Sequence, residues 1–278
     1  MRIFLAGGSG VIGRRLIPAL VAGGHQVTAT TRRANILPEL EALGATGTVV
    51  DVYDKQGLTA AVAATAPDVV LHELTDLSDY NTDANARLRR EGTANLVAAA
   101  KAAGVDRMIV QSIAWAYADG AAGGDSPAVE DDAITPGSAV DVMEQLVSSM
   151  PHATILRYGM LYGPDTWYAP GARMAEAVAA GLVPATPAVT SFAHIEDVVS
   201  ATVAALGWAD GAYNIVDDEP AAATAWLPFY AQGLGAPAPA IAALPEGAPA
   251  GRGASNAKAR ATGWAPAYPT WREGFPRQ

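Results

Sequence analysis

No cysteine occurs among the 278 residues, which excludes disulfides, thiolate nucleophiles and cysteine-bound metals and leaves the redox compartment unmarked. Histidine is nearly as scarce. His25, His72, His152 and His194 are the four; none has the spacing of a paired ligand, so no metal site is expected. Lysine stands only at positions 55, 101 and 258, and charged residues make up 17% of the chain. Acidic residues outnumber basic ones 28 to 18, for a net charge of −10. Neither nucleic acid nor an anionic membrane is therefore expected as a partner. No apolar run reaches the ~18 residues of a membrane span. Arg14 and Arg15 interrupt the early apolar stretch that superficially suggests a secretory signal, and the chain reads as cytoplasmic. What is present is 50% hydrophobic, enough chain to bury a large core without staples.

Apolar runs at 2–6, 27–31, 48–50, 69–72 and 108–112 alternate with helical periodicity at 11–21, 38–43, 58–64 and 86–103. A helix over 138–149, with Ser138 as its N-cap, leads to a sixth strand at 153–157. Strands alternating with helices imply right-handed crossovers and an α/β, Rossmann-type doubly wound parallel sheet. Beyond residue 158 the rhythm fails. A helix at 195–206, a strand at 212–216 and a helix at 222–232 are expected there, followed by a Pro/Ala-rich surface loop or partial linker over 235–253.

Gly7, Gly10 and Gly13 fall between the first strand and the first helix, in Gly7-Gly8-Ser9-Gly10-Val11-Ile12-Gly13. Strand, glycine turn and helix in that order form a cradle for a pyrophosphate. One glycine allows the turn, the next admits the ligand to the backbone, the last lets helix meet strand, and the helix N-terminus offers N–H donors. Ser9, Val11 and Ile12 belong to the same cradle. The second strand ends in Thr31-Arg32-Arg33, where a carboxylate would be expected for NAD. Two guanidiniums suit a ribose 2′-phosphate, so NADP(H) is favoured over NAD(H), the alternative being two arginines that merely cap a strand end in solvent. Asp51 and Val52, after the third strand, fall where an adenine edge would lie. Residues 1–157 are expected to form the dinucleotide-binding domain. Residues 158–278 would mainly form a substrate-binding region for a small molecule, with some segments returning to the sheet.

On these residues, and on the segments 68–72, 91–96, 157–164, 192–198, 212–216 and 256–275, the chain resembles the extended or atypical short-chain dehydrogenase/reductase family, in its NAD-dependent epimerase/dehydratase branch. The resemblance implies that Leu74 and Thr75 border the cofactor ribose. It places Ser112 at or next to the family's catalytic Ser/Thr, and sets Tyr158 and Gly159 against the nicotinamide side, with Tyr158 replacing the usual proline. His194 and Asp197 would brace the second region. The family often pairs through two helices of the sheet, which makes a homodimer an expectation.

The resemblance breaks at the chemistry. That family uses Tyr-x-x-x-Lys, a phenol at the substrate oxygen with an ammonium beside it on one helix face. None of the nine tyrosines has lysine four residues on, and alignment on Glu144 puts Pro136 and Val140 at the two positions. The nearest replacement donor in sequence is Tyr117, five residues past Ser112, which has a purely structural reading as well. Tyr158 and Tyr168 are further candidates. Trp115, Trp167 and Tyr168 would line an aromatic substrate pocket or else hold their loops down. Asp76, Asp79 and Tyr80, after the fourth strand, are additional substrate-facing candidates. Two functions follow from this pattern. One is an NADP(H)-dependent oxidoreductase or epimerase/dehydratase-like enzyme acting on a small carbonyl or alcohol with an unconventional proton donor. The other is a catalytically degenerate NADP(H)-binding regulatory or redox-sensing protein.

Overall fold

A computed structural model describes residues 1–77, 81–118 and 126–275. Along the chain it forms β1 (Arg2–Ala6), α1 (Val11–Ala22), β2 (Gln26–Thr31), α2 (Leu37–Ala42), β3 (Thr46–Val49), α3 (Lys55–Thr65) and β4 (Val69–His72). There follow α4 (Thr82–Arg87), a π-helical turn (Leu88–Gly92), α5 (Thr93–Ala102), β5 (Arg107–Ile113), α6 (Ala139–Ser148) and β6 (His152–Tyr158). Seven strands make one sheet in the order β10-β6-β5-β4-β1-β2-β3, where β10 is Gly211–Ile215. Its β3-β2-β1-β4-β5 portion is parallel, with Leu5 beside Ala29 on one side and Leu71 on the other. All four residues of β4 are buried, the pattern of a strand covered on both faces. Caps agree with local sequence: Asp54 accepts from the Gly57 N–H, Asn81 from Ala84 and Ser138 from Asp141.

Two compact units divide the chain. The first holds Met1–Ser112, Gly137–Leu156 and Thr202–Ala212; the second holds Ile113–Pro136, Arg157–Ala201 and Tyr213–Gln278. A break at 156/157 lies beside the boundary expected at 157/158, while 113–136 joins the second unit and 202–212 the first. In the first unit α1 buries Ile12, Leu16, Ile17 and Leu20, while α3 packs on α5 and α5 on α6. Each fully buried Leu or Ile contributes roughly 1.5–3 kcal/mol there.

The second unit is less irregular than its composition suggests. It contains β7 (Met160–Tyr162), α7 (Arg173–Ala179), β8 (Val189–Thr190), β9 (Phe192–His194) and α8 (Ile195–Ala204, which runs on into the first unit). After β10 come β11 (Ala221–Ala222), α9 (Ala223–Gly233), α10 (Ala257–Ala261) and α11 (Trp271–Gly274). β7 pairs with β9 in parallel and β8 with β11 in antiparallel fashion. Its core is aromatic, with Tyr162, Tyr168, Phe192, Trp226, Tyr230, Trp271 and Phe275 in one cluster. The 235–253 stretch is no linker between units, because it lies wholly within this one. Backbone bonds from Ala185 to Ala240 (2.8 Å) and from Val189 to Ala250 (2.8 Å) tie it down. No helix among the described residues is long and apolar enough to cross a membrane.

The expected single helix over 86–103 begins earlier, at Thr82, and is interrupted by the π turn. Crowding at Gly92 accompanies the interruption: a Cβ there would stand 3.1 Å from both Leu88 Cδ1 and Val52 Cγ1.

Candidate active site

The glycine turn of the first unit is built around missing side chains. Gly7 adopts φ +99°, and a Cβ on it would lie 2.6 Å from the Glu73 carbonyl oxygen. Its N–H donates to Thr30 Oγ1 at 3.2 Å. A Cβ on Gly13 would stand 2.3 Å from the Gly7 oxygen, so helix and turn touch there only because no side chain intervenes. Gly8 has the same property against Ala29 Cβ (2.6 Å), a constraint that the three-glycine pattern did not reveal. Gly10 differs: it caps α1 without a side-chain hydrogen bond, has ordinary dihedrals, and leaves its Cβ direction open apart from the Gly7 oxygen at 3.3 Å. Ser9 is half-buried, Val11 exposed and Ile12 buried. The open N–H end of α1 above a side-chain-free turn fits a dinucleotide pyrophosphate.

At the adenosine end, Thr31 is buried and its Oγ1 accepts the Arg33 N–H at 3.2 Å. Arg32 and Arg33 are exposed, and Arg32 makes a long 3.8 Å ion pair with Asp76. Val52 is buried and its carbonyl accepts from Asn95 Nδ2 at 3.0 Å. Asp51 Oδ1 closes its own turn by accepting the Tyr53 N–H at 2.9 Å. At the end of β4, His72 is fully buried, with Nε2 2.8 Å from Thr93 Oγ1 and Nδ1 accepting the Leu74 N–H at 3.3 Å. Burial first, and the nearby Arg89 charge second, push its pKa down to about 4. The ring is neutral and holds the Leu74 backbone. The Leu74 carbonyl in turn accepts from Gln111 Nε2 at 3.1 Å, and Thr75 is exposed beyond it. Asp76 donates its N–H to Asn85 Oδ1 at 3.0 Å; Asp79 and Tyr80 lie outside the described residues.

Ser112 closes β5 in the first unit and is 3% exposed. Its hydroxyl donates to Glu144 Oε1 at 2.6 Å, so its single proton points into α6. A serine poised to donate to a reacting oxygen would need that proton. The α6 face buries Val140, Met143, Glu144 and Val147 and carries neither phenol nor ammonium.

The tyrosine candidates belong to the second unit. Tyr117 donates its hydroxyl proton to Asn214 Oδ1 at 2.6 Å and accepts from Arg157 Nη1 at 3.0 Å. Burial raises its pKa against the lowering effect of Arg157. Asn214 completes the clasp, donating to the Ala128 and Ser255 carbonyls at 3.3 and 3.1 Å, while its N–H reaches Glu130 Oε1 at 2.7 Å. This corrects the catalytic expectation for Tyr117, whose proton is committed to a structural partner. Tyr158 is buried at the end of β6, with its carbonyl accepting the Ala114 N–H at 2.8 Å. Gly159 sits so close to β9 that a Cβ would lie 2.6 Å from the Phe192 carbonyl carbon.

The aromatic trio is not one pocket wall. Trp115 is 54% exposed, whereas Tyr168 is 3% exposed among Phe192, Trp226, Tyr230 and Phe275 at centroid distances of 5.5–6.0 Å. Trp167 packs partly buried against the same cluster. Tyr168 borders a cavity of about 330 Å³ with Phe229, Tyr230 and Phe275, lined by neither tryptophan. Its ring is core, which corrects its reading as an available donor. His194 stacks on Tyr268 at 3.7 Å, and Asp197 accepts the Ala267 and Tyr268 N–H groups at 2.6 and 3.1 Å. Both brace the second unit. Among the described residues, no group of three or more histidines or carboxylates is placed to hold a metal ion.

Comparison with known proteins agrees with this frame. The model of the NAD(P)H-binding family matches residues 7–176. A 3-diazoavenalumate denitrifying reductase from a Streptomyces species is 43% identical over the whole of both chains. A 4-hydroxy-2-methyl-3-oxo-4-farnesyl-3,4-dihydroquinoline-1-oxide ketoreductase of Stigmatella aurantiaca is 36% identical over 43% of this chain and 36% of that protein. Among solved structures, the UDP-glucose 4-epimerase of Thermus thermophilus in complex with NAD superposes with a TM-score of 0.81 at 26% identity, covering 99% of this chain and 97% of that one.

Proposed function

The chain belongs to the NAD(P)H-binding family, in the epimerase/dehydratase branch of the short-chain dehydrogenases/reductases, and from that premise we propose that it is an NADPH-dependent reductase of small aromatic diazo acids. It is an enzyme of the NAD(P)-dependent reductase and epimerase class, as its named relatives are. The observation that carries the finer reading is an imbalance. The dinucleotide cradle is complete, yet α6 offers neither phenol nor ammonium, Ser112 spends its proton on Glu144, and Tyr117 spends its own on Asn214.

Reduction of a ketone leaves an alkoxide that must be protonated, and a positioned acid contributes typically about 10²–10⁴-fold to that step. When bound, the reduced nicotinamide supplies a hydride equivalent; an arenediazonium and one hydride balance to the arene and N₂ with no added proton. An acceptor of that kind makes the missing phenol and ammonium dispensable. The full-length relative, whose name describes a reductase that denitrifies a diazo compound, supports the same choice. The chain's own groups would bind and orient. Gly7–Gly13 and the α1 N-terminus would hold the pyrophosphate, Arg32 and Arg33 the 2′-phosphate, and the His72-anchored Leu74 backbone the ribose.

The test is NADPH oxidation by the purified protein with diazotised 3-amino-4-hydroxycinnamate and 4-carboxybenzenediazonium, against a panel of ketones and a protein-free control. One N₂ and one denitrified arene per NADPH is the expected result. Turnover of ketones alone, or of nothing, overturns the diazo reading. Arg32→Ala with Arg33→Ala is expected to weaken NADPH about 10- to 100-fold and NADH by less than about threefold, the scale of lost charge-assisted bonds. Equal losses would remove the 2′-phosphate assignment.

A further inference from the structure

The π turn at Leu88–Gly92 carries three charged side chains between its ends, and two of them have evident partners. Arg90 donates to the Gly137 carbonyl at 2.8 Å, and Glu91 pairs with Arg87 at 2.8 Å. Arg89 has no hydrogen bond or ion pair among the described residues, although it is partly buried, and that burial lowers its pKa. A guanidinium stays charged regardless, and even partial desolvation of a cation without a partner has a cost. π turns are rare, appear mostly as single turns inside α-helices, and are frequent at functional sites.

The surroundings say where Arg89 is aimed. The turn packs against α6, the helix on which Val140 aligns with the missing lysine. Thr93, the residue directly after the turn, holds the buried ring of His72 at the end of β4, with Oγ1 2.8 Å from Nε2, and the Arg89 charge acts on that ring. Ser112 and Glu144 join the end of β5 to the same helix. Arg89 therefore stands at the carboxyl edge of β4 and β5, where ligands of open α/β sheets bind. Phosphate recognition is already provided for elsewhere, by the α1 N-terminus and by the β2-end arginines.

We propose that Arg89 is the substrate-binding cation of this enzyme and that it takes an acidic oxygen of the substrate, a carboxylate or phenolate. The proposal rests on the reductase reading above and narrows its substrate class to organic anions. It also accounts for a partly buried cation that has no hydrogen bond or ion pair among the described residues: the ligand completes the pair.

The probes are 4-hydroxycinnamate and its methyl ester, titrated into the protein saturated with NADP⁺, with NADPH affinity measured separately for each variant. Arg89→Gln is expected to weaken the acid about 10- to 100-fold, a charge-assisted bond lost, and the ester by less than about threefold. Arg89→Lys should recover part of the loss. NADPH affinity should stay within about threefold of wild type. The melting temperature of Arg89→Gln should hold or rise, since an uncompensated cation is removed, whereas a merely structural arginine would lower it. Equal losses for acid and ester, a parallel loss of NADPH affinity, or failure of the wild-type protein to prefer the acid would each overturn the proposal. Because these are binding measurements, they stand even if diazonium turnover fails, so the two readings fail separately.

Discussion

The glycine turn of the first unit and the Tyr117 clasp of the second are opposite in kind. Around Gly7–Gly13 the backbone N–H groups at the start of α1 are left without a side-chain cap. Around Tyr117 every group on view is satisfied by another: Asn214, Arg157 and Glu130 answer one another within hydrogen-bond distance. A ligand site announces itself through what the protein leaves unfilled. A tyrosine in a promising place is not a catalyst once its proton has been spent.

That contrast is most sharply broken by filling the turn. Gly10→Val meets only the Gly7 oxygen, 3.3 Å from its Cβ, so it should lower the melting temperature far less than Gly13→Val while NADPH affinity falls by more than about 100-fold, because the pyrophosphate loses its approach. Gly13→Val should lose fold and binding together, since its Cβ has only 2.3 Å to the Gly7 oxygen. Equal behaviour of the two variants, read by thermal melts and fluorescence titration, would mean that the turn is structural only.

In the clasp the sign reverses, with stability changing and binding not. Asn214→Ala strands three partners and is expected to cost about 2–4 kcal/mol, and Tyr117→Phe about 1–2 kcal/mol, with NADPH affinity and turnover within about threefold of wild type. A collapse of turnover in Tyr117→Phe at unchanged affinity would restore it as the acid.

The smallest expected difference is in pH response. His72 has its pKa pushed down to about 4 from an ordinary 6.5, so its contribution to the first unit is complete above 6.5 and lost as pH falls toward 4. Asp217 is pushed up to about 8 from 3.8, chiefly by burial, against the opposing hydrogen bonds from the Glu219 and Trp271 N–H groups. Its contribution to the second unit is complete below about 4 and lost as pH rises through 8. Amide-exchange protection should therefore weaken on acidification around β4 and α5, and on alkalinisation around α11. Parallel slopes in the two units would contradict both assignments.

Much of the first unit was legible because a buried parallel sheet writes itself in apolar runs such as 69–72, and because glycines before a helix have few other uses. Ser138 as a cap and the bracing roles of His194 and Asp197 were legible for similar local reasons. The clasp was not. Tyr117 meets partners 97 and 40 residues away in sequence, and no periodicity connects them. Tyr168 looked available because tyrosine is amphipathic; only the packing of four rings around it shows that its body is core. Gly8 was passed over because its constraint comes from Ala29 on a different strand. The π turn left no mark in composition, since arginine, glutamate and leucine are all ordinary helix formers.

That turn also has a consequence for lineage. A π turn is in effect one residue inserted into an α-helix, and each residue advances the helix by ~100°. A chain with one residue fewer between Asn81 and Thr93 would run as a straight rod, and it would swing either the Asn81 cap or the Thr93 hydroxyl away from its present bearing. Position 89 would then face a different direction whatever residue occupied it. Helix length in this segment, counted rather than compared by identity, therefore becomes a marker for sorting homologues. Those that share the extra residue share the aim of Arg89, and those that lack it have had to meet their substrates by other means.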